Sequence, residues 1–405
     1  MRLKDITIFS PQYVGDNIDG DVSFVPMESL RNGTIDYKTI PFLKAKGKYT
    51  YFGNQDLLIA KVTPCFENGN IAIARNLLNG IGFGSSEIFV LRPNKEVISQ
   101  YLFYLSQSRD FQDKACATMC GVGGLKRISP LFMRTYEFDM PSIENQQRMV
   151  TYLDTKHSEM DHQVSLLTSK RDAYLRLKKS IINHAVTRGL NPNVKMKDSG
   201  IEWIGEVPEH WEVKRMKDIC ALSPNIKSCS EYEYGSYLPM EGLRLDQIET
   251  SDELVSTLQG KYTPFEDNDL LVAKVTPCFE NGNIAIAKGL TNGVGFGSSE
   301  IFVLRANKYN NIRFLFYMSL SSKFQDKACA TMCGVGGLKR ISPLFMKTYI
   351  MAIPPSTEQN AIATYLDDKC AKIDTIVSNL DKQISRYADL KRSLIDEVIT
   401  GKRAV

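Results

Sequence analysis

The chain has 405 residues, of which 43% are hydrophobic and 24% are charged, a composition typical of globular protein with two or three domains. Its net charge of +4 is too small to hold a polyanion, so a nucleic-acid surface would need local clusters of basic residues. The sequence contains neither a run of eighteen apolar residues nor a secretory signal at its start, so we expect a cytoplasmic protein with no membrane partner.

One module occurs twice in the chain. The segment KVTPCFENGNIAIA begins at Lys61 and recurs unchanged at Lys274, an offset of 213 residues. The same offset relates the two copies of FGSSEIFVLR and of FQDKACATMCGVGGLKRISPLFM. Solenoid repeats are roughly 20 to 50 residues long. The longer period therefore indicates tandem duplication of a whole domain together with its connector.

The first part of each module consists of short apolar runs separated by turn signals. In the first copy these runs include LLIAKV, NIAIA and SEIFVLR, with Asn68-Gly69 and Asn79-Gly80 between them. Such a pattern predicts a mixed domain rich in β-strands. One helix is expected around Gln100 to Phe111, where leucine and aromatic residues recur at helical spacing.

The second part of each module predicts a long helix. Glycine and proline are absent for more than forty residues after Pro141, and apolar residues recur every seven positions. These positions are Leu153, Met160, Leu167, Tyr174 and Ile181, and then Leu366, Ile373, Leu380, Tyr387 and Leu394. A seven-residue period is typical of a coiled-coil seam, and about 45 residues of helix span roughly 65 Å. Packing of each helix on its own domain is the alternative, but two such seams in one chain favour pairing.

Five segments follow from these patterns. We predict a first globular domain at 1–141, a helix at 142–188, a linker at 189–200, a second globular domain at 201–354 and a helix at 355–402. The fold class is α+β. The second domain begins with IEWIGEVPEHWEVKRMKDI, a lead-in that the first copy lacks. The first domain is therefore expected to lack an edge strand or to take one from elsewhere.

Three sequence segments resemble those of a known family. They are MAIPPSTEQNAIATYLDDKCAKID at 351–374, DSGIEWIGEVPEHWEVKRMKDI before the second domain, and DLKRSLIDEVITGK at 389–402. In this order they resemble the specificity subunits of type I restriction-modification systems over essentially the whole chain. The resemblance implies two target recognition domains and an antiparallel coiled-coil spacer, in a non-catalytic subunit without a cofactor.

The resemblance also implies partners. They are double-stranded DNA, two methyltransferase subunits that dock on the helices, and restriction subunits that join for cleavage. We expect the docking region to include Lys178, Lys179, Lys391 and Arg392. A free-standing architectural nucleic-acid-binding protein remains an alternative, as does a single-chain modification enzyme.

The sequence shows no motif for catalysis. It contains neither a GxxxxGK[ST] loop nor an Asn-Pro-Pro-Tyr or Asp-Pro-Pro-Tyr run, and GIGFG at Gly80 lacks the strand-then-helix context of a cofactor loop. The pairs Cys116/Cys120 and Cys329/Cys333 have a spacing that could face one metal on a helix, but four histidines complete no ligand set. We expect no metal, and buried reduced thiols.

Polar residues on loops are the candidates for DNA contact. Asparagine can pair with adenine in the major groove, and the loop GVGGLKR combines backbone N–H groups with cations that suit phosphate. Both patterns also occur as ordinary turn chemistry and solvated surface. The base-reading candidates are Asn68, Asn70, Asn281 and Asn283, and the phosphate candidates are Lys126, Arg127, Lys339 and Arg340. Further candidates are Arg31, Lys61, Ser85 and Ser86, with Arg244, Lys274, Ser298 and Ser299 in the second copy.

The two domains are more alike than the family pattern implies, because 48–136 and 261–349 are nearly the same. Domains with the same side chains on the same loops read the same bases, so we predict an interrupted palindrome. Divergence is concentrated at 8–24 against 221–236 and at 32–47 against 245–260. If the base contacts lie there, the half-sites differ.

Overall fold

The structure, a computed structural model, describes residues 1–121, 124–224, 226, 231–334 and 337–405. The chain divides into two compact units. Unit 1 comprises Met1–Thr168 and Asp381–Val405, and unit 2 comprises Ser169–Leu380. No helix of the described residues is long and apolar enough to cross a membrane. The five predicted segment boundaries stay a prediction.

The first module forms two four-stranded sheets. Its elements are α1 (Leu3–Ile6), β1 (Thr7–Phe9), β2 (Asp21–Val25), β3 (Lys38–Pro41), α2 (Phe42–Ala45), β4 (Thr50–Gly53), β5 (Leu57–Ala60), β6 (Ile71–Ile73), β7 (Ile81–Gly84), β8 (Ile88–Pro93), α3 (Ser99–Gln107), α4 (Arg109–Ala117), α5 (Pro130–Thr135) and α6 (Ile143–Arg188). One sheet has the antiparallel order β1-β8-β5-β6. The other has the order β3-β2-β7-β4, in which β2 and β7 are parallel.

The second module repeats these sheets. Its elements are β9 (Met196–Asp198), β10 (Glu206–Pro208), β11 (Glu212–Arg215), α7 (Met216–Ile219), β12 (Cys220–Leu222), β13 (Tyr234–Leu238), β14 (Leu243–Arg244), β15 (Gln247–Ile248), β16 (Ser251–Leu254), α8 (Val255–Leu258), β17 (Thr263–Glu266), β18 (Leu270–Ala273), β19 (Ile284–Ile286), β20 (Val294–Gly297), β21 (Ile301–Ala306), α9 (Ile312–Ser319), α10 (Ser322–Ala330), α11 (Pro343–Thr348), β22 (Ile350–Ile353) and α12 (Ser356–Ile399). The orders β12-β21-β18-β19 and β16-β13-β20-β17 match those of the first module, and β13 and β20 are parallel.

Close packing explains one glycine in each module. Gly82 on β7 lies against the ring of Phe52, and a Cβ at this position would stand 2.1 Å from a ring carbon. Gly295 on β20 faces Phe265 in the same way, at 2.4 Å. Only glycine fits where a neighbouring side chain approaches the strand backbone so closely.

The end of each long helix completes the core of the other module's domain. In unit 1, Leu394, Ile395 and Val398 of α12 belong to the main buried cluster around β5 and β8. In unit 2, the end of α6 contributes residues such as Ile182 and Val186 to the cluster around β18 and β21. Burial of these apolar side chains ties the end of each helix to the domain of the other module.

The helix predicted around Gln100 to Phe111 is two helices, so that prediction was wrong in detail. α3 ends at Gln107 and α4 begins at Arg109. Between them, Ser108 has extended backbone angles, and its side chain accepts a hydrogen bond from the Phe111 N–H. Serine at an N-cap satisfies a backbone donor that a continuous helix would have paired internally, which starts a new helix.

A buried glutamine joins each long helix to its domain. Gln146 is fully buried, accepts a hydrogen bond from the Ile98 N–H over 3.0 Å, and donates to the carbonyls of Glu96 and Pro141. Its counterpart Gln359 accepts from the Asn311 N–H over 2.8 Å. Because these amides have protein partners on both polar atoms, they fix the first turn of each helix.

The two long helices run antiparallel. In unit 2, Lys178 of α6 donates to Asp374 of α12, and in unit 1, Lys391 of α12 donates to Asp161 of α6. In each pair, a residue in the second half of one helix contacts a residue in the first half of the other, as antiparallel helices require. All ten predicted seam positions are buried or half-buried.

The lead-in gives the second module an edge strand, which has no matching strand among the described residues of the first module. Strand β11 pairs antiparallel with β22 over four residues, from Glu212 opposite Ile353 to Arg215 opposite Ile350. At the equivalent place in the described part of the first module, Met1 and Phe138 exchange two backbone hydrogen bonds beside a bridge between Arg2 and Glu137.

The cysteine prediction was partly wrong. Cys116 and Cys329 are half-buried, but Cys120 and Cys333 are exposed. Each exposed cysteine lies beyond the end of its helix, in a short backbone bridge to an arginine, and the surface position of that bridge leaves the thiol in solvent. The cysteines of the described residues are free thiols.

Candidate nucleic-acid interface

A ten-residue connection, 61–70, joins β5 to β6 and carries several predicted DNA-binding residues. Backbone hydrogen bonds hold both of its ends. The Ala60 N–H donates to the carbonyl of Asn70 over 3.0 Å, and the Ile128 N–H donates to the carbonyl of Lys61 over 3.0 Å. The connection is thus a loop on a rigid strand pair, a common position for binding residues.

The ammonium group of Lys61 lies against the protein surface. Its Nζ donates to the carbonyl of Ser86 over 2.5 Å and stands 4.8 Å from the ring centroid of Phe89. Burial lowers the pKa of Lys61, because the charged form loses hydration. A cation held in this way has a defined position from which to meet an anion.

Glu87 orients Arg127. Nε and Nη2 of Arg127 donate to the two carboxylate oxygens, each over 2.9 Å. These bonds lower the pKa of Glu87. The Arg127 side chain is still 51% exposed. Because a guanidinium has five N–H donors, the pair with Glu87 leaves further donors on this half-exposed side chain.

Thr63 fixes the backbone beside Lys126. The Lys126 N–H donates to Thr63 Oγ1 over 3.0 Å, and the Thr63 N–H donates to the carbonyl of Lys126 over 3.0 Å. Lys126 itself is exposed. The structure therefore brings together a set of residues that we call the basic patch of unit 1: Lys61, Ser85, Ser86, Lys126 and Arg127.

Unit 2 has the same arrangement. Nζ of Lys274 donates to the carbonyl of Ser299 over 2.6 Å, and burial lowers the pKa of Lys274. Nη2 of Arg340 donates to Glu300 over 2.7 Å. The basic patch of unit 2 consists of Lys274, Ser298, Ser299, Lys339 and Arg340.

The four candidate asparagines differ in exposure. Asn68 and Asn281 are exposed in turns, where their N–H groups donate to Pro64 and Pro277. Asn70 is only 7% exposed, and Asn283 is half-buried. Base contact by any of them stays a prediction, and the geometry favours the first two.

Arg31 and Arg244 lie outside the basic patches. Both are exposed. Arg31 begins a turn whose Gly33 N–H donates to the carbonyl of Ile71, at the start of β6. Nε of Arg244 is 3.9 Å from a carboxylate oxygen of Glu249. Their role in DNA binding stays a prediction.

Sequence reasoning missed the side chains that hold the cations in place, Glu87, Thr63 and their counterparts Glu300 and Thr276. Their partners are distant in sequence, so no local pattern identifies them. The glycine loops were predicted to bind phosphate, but Val122, Gly123, Val335 and Gly336 lie outside the described residues. No group of three His, Cys, Asp or Glu side chains in the described part of the chain could hold a metal ion.

A family model for the type I restriction modification DNA specificity domain matches the chain twice, at residues 8–164 and 208–386. Together the matches cover well over half of the chain. The chain belongs to this family. Each of the two modules therefore contains a type I specificity domain, and each domain carries one of the basic patches.

Several specificity subunits are similar in sequence to this member of the family. The type I restriction enzyme EcoEI specificity subunit of Escherichia coli is 28% identical over 198 residues, which are 48% of this chain and 33% of that protein. The EcoAI specificity subunit of Escherichia coli is 29% identical over 44% of this chain and 31% of that protein. The matches thus span about a third of these two relatives. The MjaVIII specificity subunit of Methanocaldococcus jannaschii is 21% identical over 96% of this chain and 88% of its own length.

Solved structures of type I systems share the fold. A chain from a study of complex assembly and conformational transition of the type I R-M system matches with a TM-score of 0.76 at 15% identity, over 100% of this chain and 97% of that one. The HsdS subunit from Thermoanaerobacter tengcongensis matches with a TM-score of 0.55 at 15% identity, over 100% and 96%. The predicted fold class, with two mixed α/β domains and two long antiparallel helices, is confirmed.

Proposed function

We propose that the chain is the DNA-recognition subunit of a type I restriction-modification system, and that each specificity domain reads one half of a split site. The observation that carries the proposal is the duplicated basic patch on a type I specificity domain. In this role the chain is non-catalytic and directs other subunits to DNA. We propose the cytoplasm as its place of action.

The basic patches suit phosphate groups. Lys126 and Lys339 are exposed, and Arg127 and Arg340 are held in fixed orientations by carboxylates. Binding of a phosphate by such a cation releases counterions from DNA, so affinity falls as salt rises. Phosphate contacts would set the position of each domain but would carry no sequence information.

Reading of bases would fall to exposed polar groups near these cations. Asn68 lies on the same connection as Lys61, and Asn281 on the same connection as Lys274. An asparagine amide can pair with N6 and N7 of adenine in the major groove. We propose that these two asparagines read the same base in the two half-sites.

Near-identical domains on antiparallel helices favour an inverted repeat. Each domain is followed by its own helix, and the two helices run in opposite directions. The same readout on opposite strands gives an interrupted palindrome.

Sequencing of methylated bases in cells that express the chain with its methyltransferase tests this proposal. The expected result is one interrupted palindromic motif, which loses one base preference in both halves in an Asn68→Ala/Asn281→Ala variant. Two unrelated half-sites would contradict the palindrome and would place the base contacts in the divergent segments 8–24 and 32–47.

We propose methyltransferase subunits, two per chain, and restriction subunits as partners, with the helices as the methyltransferase docking region. Lys178 and Lys391 are engaged in ion pairs between the helices and are only 18% and 23% exposed, so they are poor docking residues. Their neighbours Lys179 and Arg392 are exposed. A Lys179→Ala/Arg392→Ala variant should therefore copurify less methyltransferase, with unchanged thermal stability.

The free-standing architectural protein remains the alternative function. Copurification separates it from the proposal, because a protein of that kind would bind DNA without retaining a methyltransferase subunit.

A further inference from the structure

An exposed turn lies beside the asparagine turn of unit 1. This turn comprises 31–34, all four of whose residues are exposed, and we call it the tip of unit 1. The Gly33 N–H donates to the carbonyl of Ile71 over 2.8 Å, which attaches the tip to β6. Nδ2 of Asn32 stands 3.4 Å from the position that a Cβ on Gly69 would take. The tip therefore adjoins the turn that carries the proposed base-reading asparagine.

Unit 2 has a matching tip, 244–247, where β14 turns into β15. Its four residues are also exposed. The Asp246 N–H donates to the carbonyl of Ile284 over 2.8 Å, at the start of β19, as the tip of unit 1 does at the start of β6. The two tips are therefore attached to their domains in the same way, and each presents its side chains from the same place.

The tip of unit 1 presents an amide in a fixed orientation. Nε2 of Gln107, the last residue of α3, donates to Oδ1 of Asn32 over 2.5 Å. The amide oxygen is thus occupied, whereas no acceptor in the described part of the chain bonds the NH2 group. An amide NH2 group supplies two hydrogen-bond donors. Asn32 therefore offers donors, and not an acceptor, to a molecule that binds here.

The tip of unit 2 presents an apolar side chain instead. Leu245 and Leu320 stand at the positions of the two amide residues, and Leu245 is 44% exposed. The acid of this tip is paired. Both carboxylate oxygens of Asp246 accept from Arg313 of α9, over 2.5 and 2.7 Å. Neither oxygen is left without a partner beside the leucine.

The two tips share their cation and their neighbouring charges. Arg31 and Arg244 occupy the same position, and both are exposed. Acids near the tips and the asparagines are matched as well, with Asp36 and Glu67 in unit 1 and Glu249 and Glu280 in unit 2. Phosphate contacts position a domain on any sequence, whereas side chains on base edges carry specificity. A shared arginine followed by different side chains suits two domains that are placed alike on DNA but read one different base.

We propose that the second residue of each tip reads the base pair next to the shared motif, with Asn32 favouring guanine and Leu245 favouring thymine. A pair of donors suits the N7 and O6 acceptors of guanine, and a leucine suits the C5 methyl group of thymine. Gln107 is a positioning residue, because it acts on the base through Asn32. The inference rests on the proposed function, since the shared palindrome keeps its bases and one neighbouring pair differs between its halves.

Base preference beside the motif tests the proposal. Methylated-base sequencing with the chain in its methyltransferase complex gives the motif and the pair next to each half. Competition between four duplexes that differ only at that pair then gives the relative affinities. We expect guanine to be preferred at least about fivefold in the half bound by unit 1, and thymine in the other half, as for a base-specific contact.

Exchange variants assign each preference to a unit. Asn32→Leu/Gln107→Leu gives unit 1 the residues of unit 2 and should change guanine to thymine in one half only. Leu245→Asn/Leu320→Gln should make the reverse change in the other half. The half that is not altered serves as the control in each case. Thermal unfolding confirms the fold, and the exposed substitution Asn32→Leu alone should still abolish the guanine preference if a double variant fails to fold.

Removal of the positioning residue should change which base is read. Gln107→Leu alone frees Oδ1 of Asn32, so that the amide can pair with N6 and N7 of adenine. The preference of this half should therefore move from guanine to adenine. A merely structural role of Gln107 would instead lower the affinity for all four duplexes to the same extent.

Three results would overturn the inference. They are equal neighbouring preferences in the two halves of the native motif, exchange variants that leave both preferences unchanged, and exchange variants that lose methyltransferase without a change of base. The last result would make the tips a protein contact. A palindrome with equal neighbours would leave the proposed function intact, whereas the absence of any motif would overturn both.

Discussion

Lys178 forms an ion pair with Asp374 across the two long helices, with 2.6 Å between Nζ and Oδ1. The residues 213 positions away form the reciprocal pair, Lys391 with Asp161. Each pair joins a lysine of one module to an aspartate of the other, and each unit contains one pair. Two like charges at either place would oppose helix pairing.

Reversing the charge of Lys178 should therefore destabilise the fold, and reversing the charge of Asp374 as well should restore its stability. Lys178→Glu should lower the free energy of unfolding by about 1 kcal/mol, since it faces one acid with another on a partly exposed surface. Adding Asp374→Lys should restore most of the loss. Chemical denaturation measures both, and Lys179→Glu on the exposed side of the same helix should have little effect. Failure of the second substitution to restore stability would argue against the pairing.

Asp56 is a buried acid whose removal should cost much stability, and Asp269 is its equivalent in the second module. Asp56 is 1% exposed, and it accepts from Nε and Nη2 of Arg92 over 2.8 and 2.7 Å and from the Gly53 N–H over 2.7 Å. Asp56→Ala would leave the Gly53 N–H without a partner and would remove the carboxylate of Arg92, so we expect a loss of about 3 kcal/mol. Asp5→Ala, in an exposed pair with Arg2, is the control and should cost less than about 1 kcal/mol.

The basic patches should set the salt dependence of DNA binding. If Lys126 and Lys339 each contact one phosphate, the double alanine variant should reduce the slope of log affinity against log salt by about 2. Affinity should fall to a similar extent on specific and nonspecific duplexes. The control is Lys95→Ala/Lys308→Ala, which removes the same amount of charge just after the C-terminal ends of β8 and β21. This variant should leave the salt-dependence slope unchanged. Equal slopes for the two variants would refute phosphate contact by the patches.

Lys61 and Lys274 should contribute to DNA binding but not to the free energy of unfolding. Burial lowers the pKa of both below the value in the unfolded chain, so folding disfavours the charged form. Lys61→Met/Lys274→Met should therefore weaken DNA binding while leaving the free energy of unfolding unchanged or higher at pH 7. Any gain should shrink as pH rises through the folded-state pKa, because the wild-type lysines then lose their charge. Unfolding curves at pH 7 and pH 10 check the sign, and a clear loss of stability at pH 7 would contradict it.

Helix length should set the half-site spacing. The segments 164–170 and 382–388 lie between the two ion-paired positions of their own helices. Deleting both removes one heptad from each helix, about 10 Å, and should shorten the spacing by about three base pairs. Methylated-base sequencing should show unchanged bases, whereas deletion of 164–170 alone should disrupt helix pairing. New base preferences at the old spacing would contradict a spacer role.

The sequence predicted the long helices well because their pattern is local and sustained. A period of seven residues over more than forty positions overrides single unfavourable residues, and all ten seam positions are indeed buried or half-buried. The break between α3 and α4 was missed because it depends on a single side chain. In the sequence, Ser108 looks like any polar residue on the surface of a helix, and only its role as the N-cap of α4 breaks the helix.

The candidate site was only partly predictable. The cations of the basic patches stand out as charges beside glycines or within apolar strands, but Glu87 meets Arg127 across forty residues of chain. Such pairs depend on how sheets and loops pack in three dimensions, and a local sequence pattern does not predict that packing. The exposure of Asn68 and Asn70 could not be predicted from local sequence either. Both are asparagines of one connection, but Asn70 is buried because its backbone carbonyl accepts from the Ala60 N–H at the end of the strand pair.

The joint at the start of each long helix has a mechanical consequence. Tilting α6 against its domain would break, at a fully buried site, the bonds that Gln146 makes to three separate backbone groups at once. Gln359 imposes the same resistance on α12. Each helix and its domain should therefore turn as one lever, so that a force applied to the helix would reorient the loops of the domain without loss at a hinge.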